Sequence, residues 1–419
     1  MRGGKPAQPE EQADVRARVF GIFAGGFFNN PAAVGAVAAA GLLCGVALSP
    51  RLWFPAGRSF PRAPLLLGPH PTTAAAAEYL LSGLLVAALV ALLFGRRTAL
   101  FTNLAVSLLA LLLLLDQARL QPWVYQYLLL LALLALHHRR GRGARPDGLT
   151  LAAMRLLVAS LYFWGGAQKL NYAFSREVLP QLLGPLSGYL PLTQSRLTAL
   201  GIGVALFEIF IGCGLLARRT RKLSVLLALA MHVALLGLLV GEGRNSVVWP
   251  WNAALMPLDL ILFWRGGASV RRAFAGWGAG DAAGRAARLL ALACSTLPLV
   301  SFWGWWDMYL SGALYSGNTA VAVIRVDEGV LGRLQKTAGQ QVFTTRSGEQ
   351  MLPLFEWSMA ELNVPPYPEP RAFRQVAREV CRLADGESRV ELIVRGRPAL
   401  ADGSFEVVRK DCSQLDDDR

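Results

Sequence analysis

The chain has 419 residues, 54% of them hydrophobic and 17% charged, with a mean hydropathy of +0.39. That balance excludes an ordinary soluble globular protein of this length and describes a chain that crosses a membrane several times. The formal charge of +14 divides into +1 over residues 1–31, +16 over 32–303 and −3 over 304–419. The excess therefore sits between apolar segments, where Arg sets topology, and no nucleic-acid partner is expected.

In chain order, the start MRGGKPAQPEEQADVRARV is polar and contains acids. It has no compact apolar core with a cleavage site, so no removable signal peptide is expected and residues 1–31 read as a cytosolic segment. Runs near the roughly 20 apolar residues that span a bilayer follow. They lie at 32–49, 78–95, 98–115, 122–137, 149–170, 197–217, 222–240, 246–264 and 286–303, nine in all. One set of alternate loops carries fourteen Lys and Arg, among them Arg96, Arg97, Arg139, Arg140, Arg142 and Arg145, against seven, Arg244 included, in the other. This bias puts the richer set and the N-terminus in the cytosol, and the tail outside.

The tail from residue 304 changes composition. Trp303, Trp305, Trp306 and Tyr309 at its opening suit the headgroup layer as an aromatic belt. TAVAVIRV, SRVELIVRG and SFEVVRKDC alternate like strands, and EPRAFRQVAREVCRL, after the turn-rich NVPPYPEP, reads as an amphipathic helix. The expected fold is an α-helical polytopic membrane bundle of about nine transmembrane helices over 32–303, with a small C-terminal α+β extramembrane domain over 304–419, its helix packed on a sheet of about four strands. Cys44, Cys213 and Cys294 fall in apolar segments as packing residues, and no metal-like spacing links the five cysteines. Cys381 and Cys412 lie in the polar tail and can pair if it faces an oxidising compartment.

Ionisable residues inside apolar segments are the candidates for chemistry, because each costs free energy there unless it is paired or functional. Arg155, Tyr162 and Lys169 stand seven apart, nearly two helical turns, and so share one face of the fifth segment. Glu208 in the sixth segment and His232 in the seventh both reach the expected midplane and form a candidate hydrogen-bonded pair. Asp259 falls at the level of Arg155, which makes those two a candidate structural pair. Lys169 follows Gly165 and Gly166 and has Gln168, Asn171 and Asn252 at similar depth. It either snorkels to the outer edge or, partly desolvated, serves as a base.

The stretch RLLVASLYFWGGAQKLN resembles the segment that ends a membrane helix in vitamin K-dependent gamma-glutamyl carboxylases and in the related bacterial HTTM proteins, with a DoxX-like protein the next nearest relative. The order continues with an acid-bearing helix, here Glu208, and a histidine-bearing helix, here His232. The resemblance implies nine crossings and a pocket for a quinone or reduced vitamin K-like molecule, with Lys169 as base and His232 in support. Gln168 replaces the first of the family's two lysines, Asn171 replaces its acid, and Val-Ala follows the histidine in place of Met-Asn.

Three functions follow as expectations. The first is an HTTM-type protein binding a quinone or lipid-like molecule in an outward-facing pocket of Lys169, Tyr162, His232 and Glu208, with Gln168, Asn171 and Asn252 as ligand-binding neighbours. The second is a carboxylase-like or quinone-linked redox enzyme with Lys169 as base. The third is a scaffold presenting its tail to a protein partner. Richness in Ala, Leu, Arg and Gly is compatible with a bacterial cytoplasmic membrane.

Overall fold

The computed structural model describes residues 26–65, 75–140, 146–189, 192–243, 245–267, 269–275, 281–334, 336–384 and 389–417. Most of the expected cytosolic segment 1–31, together with Arg142, Arg145 and Arg244 of the charge bias, lies outside the described residues.

Local chemistry sets the helix boundaries. The first helix, α1 (Pro31–Leu48), starts where the Asn30 side chain accepts from the Ala32 and Ala33 amides and Pro31 fixes φ at the first position. Then come α2 (Ala75–Leu93), α3 (Thr98–Leu115), α4 (Pro122–His138), α5 (Pro146–Lys169), α6 (Gln194–Leu216) and α7 (Arg221–Glu242). Gly243 stops α7 in the left-handed conformation, at φ 70°. Next are α8 (Val248–Asp259) and α9 (Ala282–Thr296), the second capped by the Asp281 side chain on the Gly284 amide and continued by a 3-10 segment to Trp303. Pro257 inside α8 lacks an N–H for the ladder, and the helix widens into a π-helical stretch over Leu260–Trp264.

Seven of these helices, α1, α2, α3, α5, α6, α7 and the extended α9, are long and apolar enough to cross a membrane, so the chain is an integral membrane protein. The other two expected crossings fall on α4, with 17 residues, and α8, with 12. Both are shorter than the seven.

Buried charges brace the loops of the bundle, and polar side chains of the tail dock on them. Arg119, fully buried, reaches Glu78 at 2.7 Å and the Leu52 and Leu112 carbonyls at 2.9 Å each, while Arg58 meets Asp116 at 2.7 Å. Glu361 of the tail accepts from Ser59 and from the Phe60 amide, and Asn363 donates to the Leu48 carbonyl. Arg119 and Arg58 have carboxylate partners, and Glu361 has amide and hydroxyl donors, the condition for holding such groups out of water.

The tail is an antiparallel sheet of five strands in the order β2-β3-β1-β4-β5. These are β1 (Val321–Val326), β2 (Phe343–Thr344), β3 (Gln350–Pro353), β4 (Val390–Arg395) and β5 (Val407–Asp411). Ala322, Ile324 and Val326 of β1 and Val390, Leu392 and Val394 of β4 are buried, every second residue, with Ile324 opposite Leu392. Helix α10 (Leu354–Leu362) packs on β1, and α11 (Pro370–Cys381) packs on β4 through Phe373, Val376, Ala377 and Val380. The expected sheet of about four strands gains the short β2–β3 hairpin. Cys381 at the end of α11 is joined to Cys412 beside β5 by a disulfide, Cα–Cα 5.8 Å.

The aromatic belt is divided. Trp303 and Trp305 are exposed, at 63% and 78%, whereas Tyr309 is buried with its ring edge-on to Tyr367 at 5.9 Å. The 3-10 turn Tyr309–Ser311 points Tyr309 into the tail, which takes it out of the expected belt.

Candidate functional site

Helices α5 and α6 are in close contact because glycines face backbone. A methyl group on Gly166 would lie 2.5 Å from the Ala205 carbonyl oxygen and 2.9 Å from the Ile209 nitrogen. On α6, Gly212 would meet the Ala159 carbonyl and the Phe163 nitrogen at 2.7 Å each. This approach lets Lys169 Nζ reach Glu208 Oε2 at 2.7 Å while donating to the Gly165 carbonyl at 3.1 Å, with both side chains little exposed at 12% and 13%. The Gly-Gly step thus seats an ion pair between two membrane helices, so Lys169 does not simply snorkel.

The expected Glu208–His232 pair is corrected by this geometry. Residues beyond Lys169 fold into a cap, a π-helical turn over Phe174–Val178 followed by Leu179–Leu182, and α6 runs alongside it to Gln194. Ser175 of the cap sits against Gly201, so Glu208, seven residues on, comes level with the end of α5 and not with the imidazole.

His232 belongs to a second polar cluster. Its Nε2 is 2.7 Å from the Tyr162 hydroxyl, which is 2.6 Å from Asp259 Oδ2, and its Nδ1 is 2.9 Å from Asn252 Oδ1. His232 is 3% exposed, Tyr162 and Asn252 4%, and Asp259 0%. The second Asp259 oxygen, Oδ1, has no hydrogen-bond partner among the described residues. The expected Arg155–Asp259 pair is corrected here. Asp259 takes the Tyr162 hydroxyl, seven residues or about 10 Å further along α5, and Arg155 Nε donates to the Leu262 carbonyl at 2.6 Å. The expected levels rested on hydropathy edges, whereas the pairing follows which donor faces which acceptor.

Donor and acceptor accounting narrows the arrangements open to this cluster. Asn252 Nδ2 donates to the Val248 carbonyl at 2.9 Å, which turns its oxygen to the imidazole, so His232 Nδ1 carries a hydrogen. The single Tyr162 hydrogen leaves two arrangements with the same proton count. Either Tyr162 donates to an Asp259 carboxylate and accepts from an imidazolium, or a protonated Asp259 donates to Tyr162, which donates to neutral His232 Nε2. In both arrangements the Tyr162 hydroxyl bridges the Asp259 carboxyl and the His232 imidazole.

Both clusters open on one cavity of about 510 Å3. Lys169, Glu208, Tyr162, His232 and Asn252 are on its wall, and the rest is almost wholly apolar, including Phe174, Phe207, Leu235 and Trp251. The volume falls in the range of roughly 300–1,000 Å3 that small-molecule sites occupy. Five of the expected residues, Lys169, Tyr162, His232, Glu208 and Asn252, thus share a hollow.

Gln168 and Asn171 do not line it. Gln168 donates to Ser301 Oγ at 3.0 Å and accepts from Asn318 at 2.7 Å, and Asn171 donates to the Ser316 carbonyl at 2.8 Å while accepting from the Phe174 amide at 2.8 Å. Gln168 in the last turn of α5 and Asn171 just past it fasten that end to Ser301 and to the start of the tail. Their expected role as ligand-binding residues is corrected to a structural one.

Sequence reasoning missed Asp259 as a partner of the cluster and Trp251 as wall. A signal for the first was present, because Asn252 and Asp259 stand seven apart and so share a face of α8. No family model, curated protein or solved structure matches this chain.

Proposed function

We propose that this protein is an HTTM-type membrane protein that binds a small molecule with a quinone-like head in the cavity between α5, α6, α7 and α8. The observation that carries the reading is the placement of two hydrogen-bonded polar clusters on the wall of an otherwise apolar hollow. A quinone head presents acceptors on a flat apolar ring. The Lys169 ammonium supplies a charge-assisted donor, Tyr162 and His232 a second polar edge, and Phe207 and Trp251 apolar surface.

In the same proposal α4 and α8 also cross, which gives nine passes with the N-terminus cytosolic and the tail outside, in a bacterial cytoplasmic membrane. The disulfide between Cys381 and Cys412 supports an oxidising compartment for the tail.

A second reading is favoured by the Tyr162 hydroxyl that bridges His232 and Asp259. A quinone-linked redox or carboxylase-like enzyme needs a group that accepts and returns protons beside the ring, and Tyr162, His232 and Asp259 form such a relay. Lys169, held by Glu208, orients the head in this reading and serves as its base once that pair opens.

The test is mass spectrometry of the small molecules that stay with the purified protein. Wild type is expected to retain a quinone-class molecule and Lys169→Ala to retain about tenfold less, the scale of one charge-assisted hydrogen bond. A wild-type protein free of such a molecule, or a variant carrying as much, removes the reading.

A further inference from the structure

Helices α6 and α7 form a hairpin that is closed at one end and open along its length. Beside the turn the two helices touch, Gly214 against the Ser224 side chain. Toward the other end Gly241 meets Pro185, a methyl at that glycine falling 3.3 Å from the proline Cβ and Cγ. From Ser224 to Gly241 is about 26 Å of helix. Between these contacts Ala230, Ala234 and Leu200 line the cavity and are at the same time exposed, Leu200 at 40%. Gly203 and Gly237 on the same two helices have nothing within 4 Å of where a side chain would start. The cavity therefore reaches the molecular surface through a window between α6 and α7.

That surface belongs to two of the membrane-crossing helices, so what lies against the window is acyl chain. The route toward water is different. A polar cleft of about 300 Å3, with Glu177, Gln181, Glu242 and Arg395 on its wall, adjoins the cavity and shares with it Leu182, Leu314 and Tyr315. Leu182 and Leu314 are each only 8% exposed, and the Tyr315 hydroxyl accepts from Asn245 at 2.8 Å. These three side chains partition the cavity from the aqueous cleft.

We infer that the ligand of this site is dissolved in the bilayer, carries a long apolar chain, and is admitted sideways between α6 and α7, its chain remaining in the window while its head meets Lys169 and Tyr162. The inference rests on the proposed function for the head and adds the chain and the route. A chain leaving through Ala230 and Ala234 stays among lipid tails, so it needs no closed pocket, and its length acts by concentrating the ligand in the bilayer beside the window. A water-soluble ligand gains nothing from such a window.

The experiment uses the full chain in phosphatidylcholine vesicles, titrated with a decyl-substituted benzoquinone and with tetramethylbenzoquinone, which has the ring and no chain. Occupancy is read as quenching of tryptophan emission, taking the part that is lost in Trp251→Phe. The chained probe is expected to bind about tenfold or more tightly when judged by its total concentration, because it accumulates in the bilayer. Ala230→Phe together with Ala234→Phe, which narrow the window, should slow its association about tenfold. Equal binding of the two probes, with loss of both in Lys169→Ala, overturns the lateral route and leaves the head-group site standing. Unchanged association in the narrowed variant overturns the route as well. If neither probe binds wild type, the site reading fails and this inference falls with it.

Discussion

Lys169 and Glu208 are each nearly withdrawn from solvent, and each is the other's counter-charge. Removing one strands the other, a loss of about 3–5 kcal/mol for a buried pair. Lys169→Met and Glu208→Leu should therefore each lower the unfolding midpoint in detergent, while the double variant recovers most of the loss and still fails to hold a quinone probe. A double variant whose loss is the sum of the two single losses would show that the two side chains act independently. The relay has its own signature. Tyr162→Phe deletes the hydroxyl between His232 and Asp259 and leaves two buried groups without it, at a cost of about 1–3 kcal/mol. Infrared difference spectra should show the carboxyl band assigned by Asp259→Asn moving in Tyr162→Phe, and an unmoved band would mean that the hydroxyl does not bridge the two groups.

At the scale of elements, the face between α5 and α6 is set by glycines that meet backbone. Backbone cannot rotate away as a side chain can, so Gly166→Ala should force the helices apart, lower stability by about 1–3 kcal/mol and loosen the Lys169–Glu208 pair. Gly203→Ala is the matched control on α6, because nothing lies within 4 Å of its added methyl. It should be neutral or gain up to about 1 kcal/mol from helix propensity, and equal losses in the two variants would place the effect in glycine content, not in contact. In the tail, the disulfide closes a separation of 31 residues between α11 and the end of β5. Its reduction should lower the stability of that domain by about 2–4 kcal/mol, read as a lower melting temperature after incubation with a thiol reductant.

Across the whole molecule, what was legible in the sequence follows from which signals are local. Membrane helices, the strands β1, β4 and β5, and α11 carry their periodicity in the chain itself, and Lys169 stood out because two glycines precede it. The β2–β3 hairpin is too short to alternate. Which side chains meet across helices was not legible, because a cap folded from residues 170–189 sets how far α6 extends past α5, and with it the pairings of Glu208 and His232. The same kind of long-range meeting governs the seam between bundle and tail. There Glu369, at the start of α11, accepts from the Met308 amide at 2.9 Å, close to Asp307, which holds Arg371 and the Tyr367 hydroxyl. Burial, and then the Asp307 charge, push the Glu369 carboxyl up to about 7 from an ordinary value of 4.5. The folded protein therefore binds a proton here that the unfolded chain has released, so ionisation opposes folding. Stability from this group is present below pH 4.5 and is lost as pH rises toward 7. Glu369→Gln should flatten that part of the pH profile of thermal unfolding and leave the protein relatively more stable near neutrality. A profile unchanged by the substitution would mean that Glu369 titrates as an exposed acid and that the seam is open to water.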